Sequence, residues 1–219
     1  MRGTGAQSGY QDVSQEELVL VGRSAGSFWG LGVKVTPIEH GLDLLGGSGT
    51  SRSSGLHISD IYNSLYSELE PTRYVAGSAP NTTKMAMGLA WEAYLESLLI
   101  RQGVEARRPS ECVTPEGIAF SPDLLIENGQ PRVGEIKLTW MSSGEDITSP
   151  KFAKWMTQAK IYCYYLGVAR ARFYPLYVNG NYRDRRNPEL LPVDVAFSAR
   201  ELQEEHQMLM NHARAKGML

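Results

Sequence analysis

The stretch that decides the fold is residues 121–137, which read SPDLLIENGQPRVGEIK. Its centre, Asn128-Gly129, is the strongest short signal for a tight turn between two β-strands, because both residues readily adopt positive φ. The segments Asp123–Ile126 and Arg132–Thr139 flank this turn. We therefore predict an antiparallel hairpin made of these two segments.

The hairpin would carry chemistry on one side of its second strand. Alternate side chains of a strand share a face, so Glu135 and Lys137 project together while Ile136 points into the core. The turn brings Asp123 beside Glu135, and two adjacent carboxylates resist ionisation unless a cation lies between them. Hard oxygen ligands suit Mg²⁺ or Mn²⁺. Lys137 could then hold a water against a phosphate and offset developing charge.

Each of these parts also has an ordinary explanation. Glu-x-Lys on a strand is common in surface ion pairs, and aspartate after proline is common in turns. Their joint placement on the two arms of one hairpin favours the metal site.

A helix predicted from Asn81 or Thr82 to about Arg101, closed by Gly103, adds a third carboxylate. Glu92 lies on or beside the apolar face that carries Leu95 and Leu99. A carboxylate in that position needs a partner. A metal would serve, and so would water at the edge of the apolar face.

A second helix, predicted from about Pro150 to Leu166, places an amide and a phenol at the rim of the core. Gln158 and Tyr162 lie beside its apolar face, where they could bind a phosphate or orient a water on a metal. Simple packing at the edge of the core is the alternative, and for Tyr162 it is the more favoured one.

The remaining elements complete a mixed α/β pattern. They are a helix from near Ser59 to Leu69, strands at Cys112–Val113, 117–120, 171–178 and Leu191–Phe197, and a last helix from the capping box Ser198-x-x-Glu201 to about Ala215. This order predicts a mixed central sheet flanked by helices. Residues 1–80, with a possible strand at Glu17–Gly22 and a flexible Gly/Ser-rich loop at 41–55, are predicted to be an N-terminal elaboration on a core of residues 81–219.

Composition excludes several classes of protein. The chain of 219 residues has a net charge of −2 and two cysteines without CxxC spacing, which indicates neither a zinc knuckle nor a disulfide framework. No apolar run reaches the ~18 residues of a membrane span. The first residues lack the apolar core of a secretory signal, so we expect a cytoplasmic protein, in the host cytoplasm if it is viral.

Charge is concentrated in residues 151–186, where eight Lys and Arg side chains stand against one Asp, a net charge of +7. A basic strip beside an acidic centre suits an enzyme that acts on phosphodiesters, and Lys151, Lys154 and Lys160 are the candidates for nucleic-acid contact. On charge alone, a solvated helix and loop surface is the more favoured interpretation.

Four short motifs now stand in order: G-x-x-x-E at Gly88–Glu92, S-P-D ending at Asp123, E-x-K at Glu135–Lys137, and Q-x-x-x-Y at Gln158–Tyr162. This set resembles the RecB-like and lambda-exonuclease-like branch of the PD-(D/E)xK nuclease superfamily, over residues 84–178. The resemblance implies a restriction-endonuclease-like core. It further implies the roles of the individual residues: Asp123, Glu135 and the Ile136 carbonyl as magnesium ligands, Glu92 as support for a ligand or a second metal, Lys137 at the attacking water, and Gln158 and Tyr162 on the scissile backbone.

The implied activity is hydrolysis of DNA, with an exonuclease of phage recombination or repair as the first expectation. DNA is the implied partner, together with a homo-oligomer or a recombination protein, and no membrane. Two cysteines are too few for the four-cysteine iron–sulfur cluster of some members, so none is expected. Two alternatives remain open: a phage head-completion or neck protein on the same scaffold, and a structure-specific or restriction-type endonuclease with the same site.

Overall fold

A computed structural model describes residues 53–73, 82–184 and 186–219. The strand predicted at Glu17–Gly22 and residues 41–52 of the predicted loop lie outside these ranges. The described elements are α1 Ile58–Leu69, α2 Thr82–Arg101, β1 Ala106–Arg107, β2 Cys112–Val113, β3 Ala119–Phe120, β4 Leu124–Ile126, β5 Arg132–Thr139, a 3₁₀ turn Pro150–Phe152 leading into α3 Ala153–Leu166, β6 Arg170–Tyr177, β7 Glu189–Leu190, β8 Val193–Ala196 and α4 Ala199–Ala215.

The predicted hairpin is confirmed. Strands β4 and β5 pair antiparallel with Leu124 opposite Gly134, and Gly129 in the turn has φ of 73°. The strands approach closely at Gly134, because a Cβ there would lie 2.9 Å from the Cβ of Leu124. A glycine immediately before Glu135 is therefore part of how the hairpin closes.

The central sheet is mixed, as predicted. Strand β5 pairs in parallel with β6, from Val133 opposite Ala171 to Thr139 opposite Tyr177, and α3 forms the crossover between them. The other strand pairs of the described chain are antiparallel, in the order β1-β4-β5-β6-β7, with β8 also on β6 and β2–β3 forming a small separate sheet. The sheet thus places β5, with its charged residues, at its centre.

Helices cover both faces of this sheet. Helices α1, α3 and α4 pack on one face, in a core that includes Ile61, Ile161 and Phe173. Helix α2 packs on the other face, in a smaller core with Leu95 and Tyr174. The four helices lie where the sequence predicts them, and Ser198 caps α4 through a reciprocal pair of hydrogen bonds with Glu201. Within the described ranges, each helix is too short or too polar to span a bilayer.

The strand predicted at Leu191–Phe197 is confirmed with narrower bounds, as β8 Val193–Ala196. Strand β7, Glu189–Leu190, lies before the predicted range and was not predicted. A break separates it from β8, although the register on β6 is continuous, with Leu190 opposite Leu176 and Val193 opposite Phe173. The break falls where Pro192 and Pro175 lie in this ladder, and proline has no N–H to donate. The two-residue strand β1 was not predicted, since it is too short to show alternation.

Candidate active site

The site begins where β5 runs past the end of β4. Because β4 starts at Leu124, opposite Gly134, β5 has no β4 backbone beside it from Glu135 onward. The side chain of Asp123 takes over there, and its Oδ2 accepts a hydrogen bond of 2.7 Å from the backbone N–H of Ile136. The carboxylate therefore accepts the hydrogen bond that a backbone carbonyl of a neighbouring strand would otherwise accept. This bond holds Asp123 beside Glu135, as the hairpin predicts.

Lys137 joins the acidic pair to α3. Its Nζ donates to Glu135 Oε2 at 2.6 Å and lies 3.7 Å from Asp123 Oδ2. The same ammonium donates to Gln158 Oε1 at 3.2 Å. Three side chains predicted from separate motifs thus surround one positive charge, while the side chain of Ile136 is buried on the other face of the sheet, as predicted.

Gln158 is held in turn by Tyr162. Its Nε2 lies 3.4 Å from the Tyr162 hydroxyl, at the long end of hydrogen-bond range. Tyr162 is buried, and its ring packs against Phe120 with 5.5 Å between the centroids. The phenol therefore belongs to the core wall, and the amide is the part of this helix face that reaches Lys137.

Glu135 is the most unusual group of the site. It is 0% exposed, and among the described residues its Oε1 has no hydrogen-bond partner. Burial raises the pKa of Glu135 to about 8, with the charge of Asp123 adding to the shift and Lys137 opposing it. A buried carboxylate with a free oxygen binds either a proton or a cation at neutral pH.

Lys137 keeps its charge in spite of its surroundings. Burial works to lower the pKa of its ammonium, but the charges of Glu135 and Asp123 outweigh burial and hold that pKa above the ordinary lysine value. The positive charge is therefore a permanent part of the site.

Glu92 approaches from α2. Its Oε2 lies 3.4 Å from Arg108 Nη1, and the Nε of Arg108 also binds Glu96 at 3.0 Å. Burial raises the pKa of Glu92, and the charge of Asp123 raises it further. Glu92 and Lys137 line the same groove, so Glu92 approaches the site from the α2 side of the sheet.

The donor chemistry fits a hard divalent cation. Carboxylate oxygens are the ligands that Mg²⁺ and Mn²⁺ prefer, and the unpartnered oxygen of Glu135 is one such donor. Over residues 53–73, 82–184 and 186–219, however, no three acidic, His or Cys side chains converge as a group that could hold a metal. Glu92 is thus a neighbour of the Asp123–Glu135 pair and does not form one group with it in this arrangement.

The three candidate lysines lie in different surroundings. Lys154 is four residues before Gln158 and so shares its side of α3, with Nζ 5.6 Å from the Tyr62 ring centroid. Burial lowers the pKa of Lys154, and the charges of Arg73 and Lys137 lower it further. The other two form ion pairs within the chain: Lys151 with Glu145, and Lys160 with Glu205 at 3.1 Å.

Some neighbours of the site have no sequence signal. Tyr62 on α1 and Arg73 beyond its end come from a segment that the motifs do not include, and Arg73 donates to the Lys151 carbonyl at 2.6 Å. Arg108 reaches Glu92 across 16 residues. No local pattern links residues that far apart, although the buried face of α1 shows that this helix packs inward.

No protein-family model and no curated protein matches the sequence. Among solved structures, the chain is similar to SSO0001, at 16% identity and a TM-score of 0.45, over 74% of this chain and 78% of that one. It is also similar to a phage-related exonuclease from Haemophilus somnus 129PT, at 13% identity and a TM-score of 0.44, over 71% and 78% of the two chains. A third is the alkaline exonuclease LHK-Exo from Laribacter hongkongensis, at 15% identity and a TM-score of 0.43, over 74% and 89%.

Proposed function

We propose that the protein is a magnesium-dependent DNA nuclease of the PD-(D/E)xK type. The observation that carries the proposal is the buried carboxylate of Glu135, which has one oxygen on Lys137 and one with no partner among the residues that the structure describes. Asp123 stands beside it, fixed by the Ile136 N–H. Carboxylates that could hold a divalent ion, beside a fixed positive charge, are groups that metal-assisted phosphodiester hydrolysis can use.

The residues take the roles that the family resemblance implies, and the contacts of Asp123 and Lys137 support theirs. Asp123 and Glu135 would hold the ion, with the Ile136 carbonyl as a further ligand and Glu92 as a support. The ion would polarise the scissile phosphate and lower the pKa of an attacking water. Lys137 supplies a fixed positive charge against the charge that develops on the phosphate. Gln158, held by Tyr162, keeps the Lys137 ammonium in position. Gln158 and Tyr162 would also contact the scissile backbone of the DNA, as the resemblance implies.

The finer assignment is an exonuclease of phage recombination or repair, acting in the cytoplasm. It is supported by the order of the four motifs along the chain and by the basic strip of residues 151–186, to which Lys151, Lys154 and Lys160 belong. In this proposal residues 81–219 form the nuclease core, to whose packing α1 also contributes. The rest of residues 1–80 contribute substrate choice or contacts with an oligomer or a recombination partner.

The test is cleavage of linear and circular DNA with and without magnesium, comparing the wild-type protein with Glu135→Ala. Magnesium-dependent loss of linear DNA alone, abolished in the variant, is the expected result. Cutting of circles would replace the exonuclease by an endonuclease with the same site. Absence of metal-dependent cleavage of either substrate would refute the proposal.

Lys137→Ala tests the role of the ammonium. We expect cleavage to fall by about 10²–10³-fold, the usual cost of removing one group that stabilises developing charge. The matched control is Lys216→Ala. It removes an exposed lysine at the C-terminal end of α4, where the lysine pairs with Glu68 of α1. Full activity of Lys137→Ala, measured as an initial rate of DNA hydrolysis at saturating magnesium, would contradict the assigned role.

An assembly protein on this scaffold is the second candidate. The exposed apolar side chains of Met87 and Tyr94 favour it, because they lie seven residues apart on one side of α2 and an exposed apolar patch commonly marks contacts between proteins. An inactive wild-type protein that forms stable particles or docks onto one would establish this function in place of the nuclease.

A further inference from the structure

A groove leads away from the candidate site between α2 and the end of β5. Its volume is about 700 Å³, within the range of sites that bind small molecules, ~300–1,000 Å³. The side chains along it run from Glu92 and Lys137 at the site to Lys84, Met85 and Trp140 at the outer end. The groove therefore joins the candidate site to an aromatic ring and a cation.

The outer end combines two kinds of group. Trp140 follows the last residue of β5 and is half-buried, and Lys84 of α2 places its Nζ 4.8 Å from the centroid of the Trp140 ring. Aromatic faces stack on bases, and ammonium groups bind phosphates. A ring and a cation side by side match the alternation of base and phosphate along a nucleic-acid strand.

Gly88 provides an independent observation. It lies inside α2, where glycine weakens a helix relative to alanine. Apart from its chain neighbours and the backbone of α2 itself, no described atom lies within 4 Å of the place where a Cβ would be, so packing does not require glycine there. Gly88 lines the groove, and because it has no side chain, that part of the groove stays open. This is the expected use of a glycine beside a bound strand.

We propose that an unpaired DNA nucleotide stacks on Trp140 and places its adjoining phosphate on Lys84, so that the strand runs along the groove to Lys137. The inference rests on the proposed function and names the form of its substrate. The strand must be unpaired at this point, because the base faces inside a duplex are covered by their neighbours. The incoming base replaces the ammonium on the ring, and the exposed Lys84 side chain turns to the phosphate.

The test is binding of a fluorescently labelled oligothymidylate of about 10 nucleotides, a length within the usual site size of single-strand binding grooves. Binding is measured by anisotropy in EDTA, so that no cleavage is needed. Trp140→Leu should weaken binding at least about five-fold, whereas Trp140→Phe, which keeps an aromatic face, should bind within about two-fold of the wild type. Unchanged binding by Trp140→Leu would overturn the proposal.

Two further arms separate stacking from damage to the fold. An oligonucleotide without bases should bind Trp140→Leu and the wild type equally, because there is no base to stack. Gly88→Leu places a side chain in the groove and keeps Lys84, Lys137 and Trp140. We expect it to weaken binding of the oligothymidylate about ten-fold. The control is Tyr164→Leu, which removes an exposed aromatic ring that stacks on His206 and does not line the groove.

The outcomes distinguish this inference from the proposed function. If the protein binds the oligothymidylate through Trp140 but does not hydrolyse DNA with magnesium, the proposed nuclease function is refuted and base stacking on Trp140 is supported. If Glu135→Ala abolishes magnesium-dependent cleavage but the Trp140 and Gly88 variants bind the oligothymidylate as the wild type does, the nuclease function is supported and base stacking on Trp140 is refuted.

Discussion

The two faces of the central sheet differ in how completely they are covered. Three helices pack on the face of Phe173, whose core draws on α1, α3 and α4. One helix, α2, packs on the face of Tyr174, over a core of a few side chains. Glu135 and Lys137 project from the first face towards Gln158, and the groove lined by Trp140 opens beside the second.

This difference assigns separate tasks to the two faces. Dense packing on the first face excludes water, which raises the pKa of Glu135 and locks the Lys137 ammonium between fixed partners. Thin cover on the second face leaves a channel through which a strand could reach the same charges. The fixed charges of Glu135 and Lys137 are thus held on one side of β5, and the groove that leads to them opens on the other side.

The largest expected effect comes from breaking the dense face. Phe173→Ala removes a fully buried ring from the large core, and we expect the free energy of unfolding to fall by about 3–5 kcal/mol. Leu99→Ala in the thin core should cost about 2 kcal/mol, since its side chain borders solvent and the site can relax. Urea denaturation measures both, and equal losses would show that the two faces are equally packed.

The next effect is the pH dependence that burial of Glu135 produces. Its pKa in the folded protein is about 8, above the ordinary value of 4.5, so the folded state binds a proton that the unfolded state has lost between these pH values. In metal-free protein the stability should therefore fall as pH rises through this window, by up to about 1.4 kcal/mol per pH unit. Glu135→Gln should remove this slope, and an unchanged slope in urea titrations of the variant would exclude Glu135 as its source.

Gly134→Ala tests how tightly the hairpin closes. The new Cβ would meet the Leu124 Cβ at 2.9 Å and the Ile126 Cδ1 at 3.2 Å, both in the hairpin strand. We expect a loss of about 1–3 kcal/mol in the free energy of unfolding, as for other overpacked cores. A thermal melt with no change would show that β4 and β5 can separate at this point without cost.

Gly88→Ala is the opposite case on the thin face and has the smallest expected effect. The Cβ enters open space within α2, so the free energy of unfolding should rise by about 0.4–1 kcal/mol. Differential scanning calorimetry beside Gly134→Ala gives a matched pair of glycine substitutions with opposite signs. A destabilised Gly88→Ala would mean that the groove wall is packed after all.

The sequence predicts the parts of the molecule whose signals are local. Asn128-Gly129 predicts the hairpin, the capping box at Ser198 predicts the start of α4, and side-chain alternation predicts that Glu135 and Lys137 lie together. The assignment of catalytic and metal-binding roles to these residues stays a prediction.

Other features depend on contacts between distant segments. The ion pair of Glu92 with Arg108 and the ring of Tyr62 near Lys154 join elements that no spacing rule connects. The interruption between β7 and β8 requires Pro175 on the neighbouring strand as well as Pro192, and so depends on a register that only the folded sheet defines.

The parallel pairing of β5 with β6 has a consequence for the order in which the molecule assembles. The hairpin of β4 and β5 closes through a short turn, whereas the crossover through α3 separates β6 from β5 along the chain. Local contacts cost less loop-closure entropy and generally form sooner than distant ones. We therefore expect Asp123 and Glu135 to meet early on the folding path and Lys137 to find Gln158 late, so that the acidic pair spends part of each folding event without the helix that holds its counter-charge in place.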